Sequence, residues 1–191
     1  MCCRYYYDQL KVDKILKELH IIQPCGGKAG GTITPGSESL VLKKNGDLIQ
    51  PAIARWGFPA KDGKLIINAR CESVMQKPMF CNALETRRCI LPAQCFYEWD
   101  ADRNKHTFSS LDSPMLFLAG IWQLYDDIMR FVVLTTAANV SMMPIHDRMP
   151  LLISEENMRS WLLDAAFAAE YLKSEMPLLK VYREYEQMSF L

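Results

Sequence analysis

Apolar and polar positions follow two rhythms along this chain. Between Asp8 and Ile22, Leu10, Ile15, Leu16, Leu19 and Ile22 recur at helical spacing, and Pro24 with Gly26-Gly27 ends the run. This predicts an amphipathic helix laid on a core. Residues 25–37 are rich in Gly and Pro and predict a loop. Their Gly pairs lack the Gly-Lys-Ser/Thr of a phosphate-binding loop. Strand-like runs follow at Ser39–Lys43, Leu48–Trp56 and Lys64–Asn68, with Asn45-Gly46 as a hairpin turn between the first two. Met75–Leu84 predicts a short helix. Arg88–Trp99, Lys105–Ser109, Met115–Trp122 and Arg130–Thr136 are rich in β-branched and aromatic residues and predict strands. Ser154 is a suitable N-cap, with Glu155 and Glu156 in the first turn of a helix reaching about Leu163. A second helix is predicted over Asp164–Ser174 and a last strand over Lys180–Tyr185. Strands dominate, helices stand toward both ends, and no strand–helix–strand alternation occurs. The fold class expected is α+β, with a mostly antiparallel, barrel-like sheet and flanking helices.

Composition narrows the class. The chain has 191 residues, a length expected of one domain. Half of its residues are hydrophobic and 23% are charged, which excludes a disordered chain. Lys+Arg and Asp+Glu are 22 each, so binding to duplex by bulk positive charge is excluded as well. A nucleic-acid role would need a local basic surface. Residues 40–95 hold nine basic and four acidic side chains, whereas residues 140–191 hold five and eight. The first residues carry charges and no apolar signal segment, and the longest apolar stretch, Met115–Trp122, is too short to span a bilayer. Seven cysteines, an odd number in a chain able to build its own core, fit a reduced cytoplasmic setting better than a disulfide framework. No Cys-x-x-Cys occurs, and His20, His106 and His146 are far apart in sequence, so neither a zinc site nor another metal is expected.

Four residues stand out for their chemistry. Cys2 directly follows the initiator Met1. If Met1 is removed, Cys2 presents an α-amine and a thiol on adjacent carbons, both partly reactive near neutrality. Such a 1,2-aminothiol condenses with an aldehyde to a Schiff base and then closes a thiazolidine ring. Asn68 opens Asn68-Ala69-Arg70 after an apolar strand. Glu98 lies among aromatics in Cys95-Phe96-Tyr97-Glu98-Trp99. His146 lies in Pro144-Ile145-His146-Asp147-Arg148-Met149-Pro150, held between prolines. Taken singly, each has a structural alternative: Asn68 as a turn cap, Glu98 as an arginine partner, His146 as a core histidine.

Taken in order, the motifs say more. Met-Cys-x-Arg, Trp-Gly-Phe, Asn-Ala-Arg with Glu72, Arg-Cys-Ile-Leu-Pro before Phe-Tyr-Glu-Trp, Thr-x-Ala-Asn and Ile-His-Asp-Arg-Met-Pro follow one another from residue 2 to about Trp161. This pattern resembles the SRAP family, the SOS response-associated peptidases or abasic-site processing proteins, with residues from about 164 to 191 as a divergent C-terminal tail. The resemblance implies a DNA-damage protein that binds single-stranded DNA and crosslinks to abasic sites through its N-terminal Cys as a thiazolidine. Cys2 would supply amine and thiol, Glu98 would shuttle protons, His146 would assist opening of the deoxyribose ring, and Asn68 would position Cys2 and the sugar. Arg4, Arg70 and Arg148, with the Thr135 hydroxyl, would hold flanking phosphates. Autoproteolytic release of Met1 and a lyase-like activity are also implied, with no cofactor, no metal and no membrane partner, and nucleoid association if the source is bacterial. Two alternatives stay open: an N-terminal-nucleophile peptidase, and a non-catalytic single-strand DNA-binding module. Three positions depart from the family pattern. Cys3 stands where Gly is usual, Thr32 where Asn is usual, and Pro59–Ile67 lacks the tryptophan that stacks on bases in relatives.

Overall fold

The computed structural model describes residues 2–21 and 30–183. In chain order the elements are β1 (Tyr5–Tyr7), α1 (Gln9–Glu18), β2 (Gly31–Ile33), β3 (Glu38–Asn45), β4 (Leu48–Trp56), β5 (Phe58–Pro59), β6 (Leu65–Ile66) and β7 (Asn68–Arg70). Next come α2 (Cys71–Val74), α3 (Pro78–Thr86), β8 (Arg88–Ala93), β9 (Cys95–Trp99), β10 (Lys105–Ser110), β11 (Leu116–Tyr125), β12 (Ile128–Ala137) and β13 (Arg148–Pro150). A single 3₁₀ turn, Glu155–Asn157, leads into α4 (Met158–Leu163), α5 (Ala165–Tyr171) and β14 (Leu179–Arg183). The α+β class with a mostly antiparallel, barrel-like sheet expected from the sequence is the fold observed.

Two sheets organise the molecule. In the larger, β11, β8, β3, β4 and β12 are neighbours in that order, and β11 also pairs with β12, so five strands close a barrel. β12 is the hub. It pairs antiparallel with β11 and β13, and parallel with β4 and β7. The second sheet is open, with the order β14-β10-β9-β1-β2. The core between them is aromatic. Trp56 lies 5.3 Å from Tyr5 and stacks on Phe131 at 5.9 Å, and Phe96 stacks on Phe108 at 5.0 Å. The buried Trp56 indole donates to Ile67 O at 2.9 Å, which satisfies its one polar atom.

The boundaries that differ from expectation have local causes. The predicted strand Arg88–Trp99 is two strands in two sheets, because the chain changes partners at Gln94. There Gln94 N donates to Tyr6 O, and its side-chain Oε1 accepts from Asp8 N at 2.7 Å. α1 begins at its cap Asp8, whose carboxylate accepts from Lys11 N, and ends at Glu18; the predicted end at Ile22 lies outside the described residues. It buries Val12, Ile15 and Leu16, whereas Leu10, placed by periodicity on the apolar face, is exposed. The helix expected over Met75–Leu84 begins later, with Pro78 in its first turn, and follows the short α2. The Asn45-Gly46 turn between β3 and β4 forms as expected. The predicted strand end at Tyr185 lies beyond the described residues.

Candidate active site and nucleic-acid interface

The short strand β1 brings the chain start into the interior. Tyr5 and Tyr7 point inward, Tyr5 donating to Ser39 Oγ at 2.6 Å, and β1 pairs with β9 through Tyr5–Phe96 and Tyr6–Cys95. Tyr97 N donates to Arg4 O at 2.9 Å, extending the pairing toward the N-terminus. Cys2 thereby lies beside the Glu98 end of β9 and is only 1% exposed. Its carbonyl accepts from Asn68 Nδ2 at 2.8 Å, and its Sγ approaches Arg4 O at 4.0 Å. Burial, and then the Glu98 carboxylate, push the Cys2 thiol far above its ordinary range. The same two causes, in the same order, raise the Cys3 thiol. Glu98 is 3% exposed, and its Oε2 accepts from Trp99 N at 3.3 Å.

The hub strand supplies the second half of the site. Asn68 and Arg70 of β7 stand beside Val133 and Thr135 of β12, and Arg148 of β13 stands beside Ala137. Because neighbours in register share a face, Asn68, Arg70, Thr135 and Arg148 point to the same side of these three strands. Arg148 is anchored rather than extended. Its guanidinium makes a two-pronged pair with the Glu72 carboxylate at 2.6 and 2.9 Å and donates to Thr135 O at 2.5 Å. That hydrogen-bonded pairing lowers the Glu72 carboxyl below its usual range. Arg70 is exposed, whereas Thr135 is wholly buried. Asn68 Oδ1 and Thr135 Oγ1 are buried with no hydrogen-bond partner among the described residues, a costly state that a ligand or a water would relieve.

His146 sits two residues before Arg148, its backbone N bonded to Met142 O at 3.0 Å. Its Nδ1 accepts from Arg148 N at 2.9 Å and lies 3.0 Å from Asp147 Oδ1. An Nδ1 that accepts places the proton of the neutral ring on Nε2, while an imidazolium would instead donate from Nδ1 to Asp147. Arg4 turns outward: its guanidinium lies over the Trp99 ring at 5.1 Å. The structure therefore joins Cys2 with Asn68 and Glu98, and Arg70 with Thr135 and Arg148, and sets Arg4 on the opposite face of β9 from Glu98.

Sequence reasoning did not assign Glu72 as the partner of Arg148, nor did it single out His106. His106 stands opposite Glu98 in the β9–β10 register, is 8% exposed, and holds Asp100 through Nε2 at 2.9 Å. That contact, with a second from Asn104, lowers the Asp100 carboxyl well below its usual range. No sequence signal marked either pairing, since register decides both. Among the described residues no three His, Cys, Asp or Glu side chains converge to hold a metal ion, and no helix is long and apolar enough to cross a membrane.

The family model for SOS response associated peptidase (SRAP) matches residues 1–190. The chain belongs to the SRAP family. Among curated SRAP-like relatives, it is 34% identical over 151 residues to the abasic site processing protein YoqW of Bacillus subtilis, covering 74% of this chain and 66% of that protein. It is 33% identical over 151 residues to YoaM of the same organism, covering 74% and 65%. To YedK of Escherichia coli, also called an abasic site processing protein, it is 29% identical over 139 residues, covering 68% and 63%. The matches thus span just under two thirds of these relatives' length. A solved structure from Bordetella bronchiseptica superposes with a TM-score of 0.80 at 22% identity, covering 97% of this chain and all of the other. A second, a phage-related protein from the same organism, gives 0.79 at 22% identity, covering 97% and 95%. These two structures share the fold of the chain.

Proposed function

We propose that this SRAP protein processes abasic sites in DNA, binding single-stranded DNA and capturing the lesion covalently through Cys2. The observation that carries the reading is the seat of Cys2, buried beside Glu98 with its backbone pinned by Asn68 at 2.8 Å. The names of the relatives supply the substrate class. Water first cleaves the Met1–Cys2 peptide bond and frees the Cys2 amine. The amine nitrogen attacks the C1′ aldehyde carbon of the ring-opened sugar, and loss of water leaves a C=N bond. Cys2 Sγ then adds to the imine carbon, while its proton passes through Glu98 to the nitrogen, closing the thiazolidine. In sum, aldehyde and aminothiol give the ring and one water.

The remaining residues take roles that suit their positions. A thiol driven up by burial stays protonated at neutral pH, so ring closure needs a base at Sγ, and Glu98 is the carboxylate that the thiol feels. His146, its Nδ1 held by Arg148 N, assists opening of the deoxyribose to its aldehyde. Asn68 holds Cys2 and offers Oδ1 to the sugar. Exposed Arg70 receives a flanking phosphate through its planar donor fork, with the Thr135 hydroxyl and the Glu72-held Arg148 beside it, and Arg4, stacked on Trp99, meets a phosphate farther along the strand. The test is a uracil-containing oligonucleotide treated with uracil glycosylase, incubated with protein whose intact mass shows loss of Met1, and run on a denaturing gel. A shifted covalent band that vanishes in Cys2→Ala is expected. No band from wild type, or a band retained in Cys2→Ala, overturns the proposal.

A further inference from the structure

The open sheet has two unlike faces. Inward positions are buried: Tyr5 and Tyr7 of β1, Phe96 and Glu98 of β9, His106 and Phe108 of β10. The outward positions between them are half-buried or exposed, and their composition is unusual. Trp99 pairs in register with Lys105, Tyr97 with Thr107, Thr107 with Tyr182 and Ser109 with Lys180. Arg4 joins the same face by lying 5.1 Å over the Trp99 ring, and Lys105 Nζ lies 4.2 Å over the Tyr97 ring. Tyr182 is 64% exposed. Among the described residues, no Asp or Glu occupies an outward position of β1, β9, β10 or β14.

We propose that this outer face, built on Tyr97, Trp99, Lys105, Lys180 and Tyr182, is a second binding surface for single-stranded DNA, carrying the strand that runs on from the captured nucleotide. Rings interleaved with cations recognise a single strand in two ways, the rings by stacking on unpaired bases and the cations by following the phosphates. The face also continues the candidate site. Arg4 lies two residues from Cys2, and Trp99 directly follows Glu98, so a strand running on from Cys2 meets the Arg4–Trp99 stack first. From β1 to β14 the surface crosses four strands, roughly 14 Å at the usual strand spacing. It also provides base stacking at a distance from Pro59–Ile67, where this chain has no tryptophan.

The inference shares the single-strand ligand of the preceding proposal but not its covalent chemistry, and the experiment separates them. Fluorescence anisotropy measures binding of unmodified oligothymidylate, one oligomer too short to pass beyond the candidate site and one long enough to reach β14. Wild type is expected to bind the long oligomer more tightly. Tyr97→Ala and Tyr182→Ala should each weaken the long oligomer about tenfold and leave the short one unchanged. Lys105→Ala and Lys180→Ala should each lower the salt slope for the long oligomer by about one. All four variants should still crosslink a short abasic oligonucleotide, and a thermal melt matching wild type shows that the sheet is intact. Equal binding of the long oligomer by wild type and the tyrosine variants overturns the proposal. So does an equal loss on a duplex of the same length, since paired bases cannot stack on the rings. If wild type forms no crosslink but the length-dependent losses persist, the capture reading fails and this surface stands.

Discussion

At the scale of single residues, Cys2 and Glu98 bear directly on one another. Burial is the larger cause of the raised Cys2 thiol, and the neighbouring carboxylate is the next. A negative charge beside a thiol disfavours the thiolate, so removing that charge must bring the thiol pKa down while burial still keeps it above the ordinary range. Glu98→Gln is therefore expected to make Cys2 react at lower pH than in wild type. The measurement is the pH profile of Cys2 alkylation, followed on the Cys2 peptide by mass spectrometry; an unmoved or upward-moved profile would contradict the coupling. On the proposed mechanism, in which Glu98 carries the thiol proton, the same variant should slow thiazolidine formation, because a more acidic thiol does not replace that group. Reactivity and catalysis thus move in opposite directions.

At the scale of elements, the barrel closes where β11 meets β12, and Gly120 sits in that seam opposite Val133. A Cβ placed there would come within 2.9 Å of Val132 O and 3.0 Å of both Cys89 Sγ and Leu91 Cδ1. A backbone oxygen cannot step aside without opening the ladder. Gly120→Ala is expected to lower unfolding free energy by about 1–3 kcal/mol in urea titration, and a neutral result would mean that the seam relaxes freely. The sequence shows this level unevenly. β3, β4 and the turn between them were readable from alternation and Asn45-Gly46, because the information is local. β1, β2 and β13 were not: three tyrosines, a Gly-rich stretch and a segment ending in Pro150 become strands only because β9, β1 and β12 lie beside them. The turn at Gln94 was invisible for the same reason, since no break in the apolar run announces a change of partner sheet.

At the scale of the whole molecule, one buried cation ties barrel to helices. Arg88 is 1% exposed and donates to Leu84 O and Glu85 O at the end of α3 and to Trp161 O and Leu162 O in α4. These are carbonyls that helix ends leave without intrahelical donors. Arg88→Met keeps the bulk but strands four acceptors, so a loss on the order of 3 kcal/mol is expected in urea unfolding. A loss below about 1 kcal/mol would show that the carbonyls find other donors. Arg88 also corrects the first impression of a basic segment, because one of its nine cations serves the interior rather than the surface. The site itself divides along the same line. Cys2 is singled out by its place in the chain, and Asn68, Glu98 and His146 by the short motifs that carry them. The Arg148–Glu72 pair spans 76 residues and the His106–Glu98 register depends on a hairpin, so neither leaves a mark in the sequence.

The two sheets differ in one further respect. The five barrel strands close on one another, whereas among the described residues the open sheet ends in β2 on one side and β14 on the other. Strand-by-strand self-association of the folded protein can start at these edges, as it can at β7, β13 and the β5–β6 pair. On the β14 side, Lys180 and Arg183 stand in the edge strand itself, and two like copies brought edge to edge would confront each other with positive charge. The cations that suit this sheet to a polyanion also guard it against its own kind.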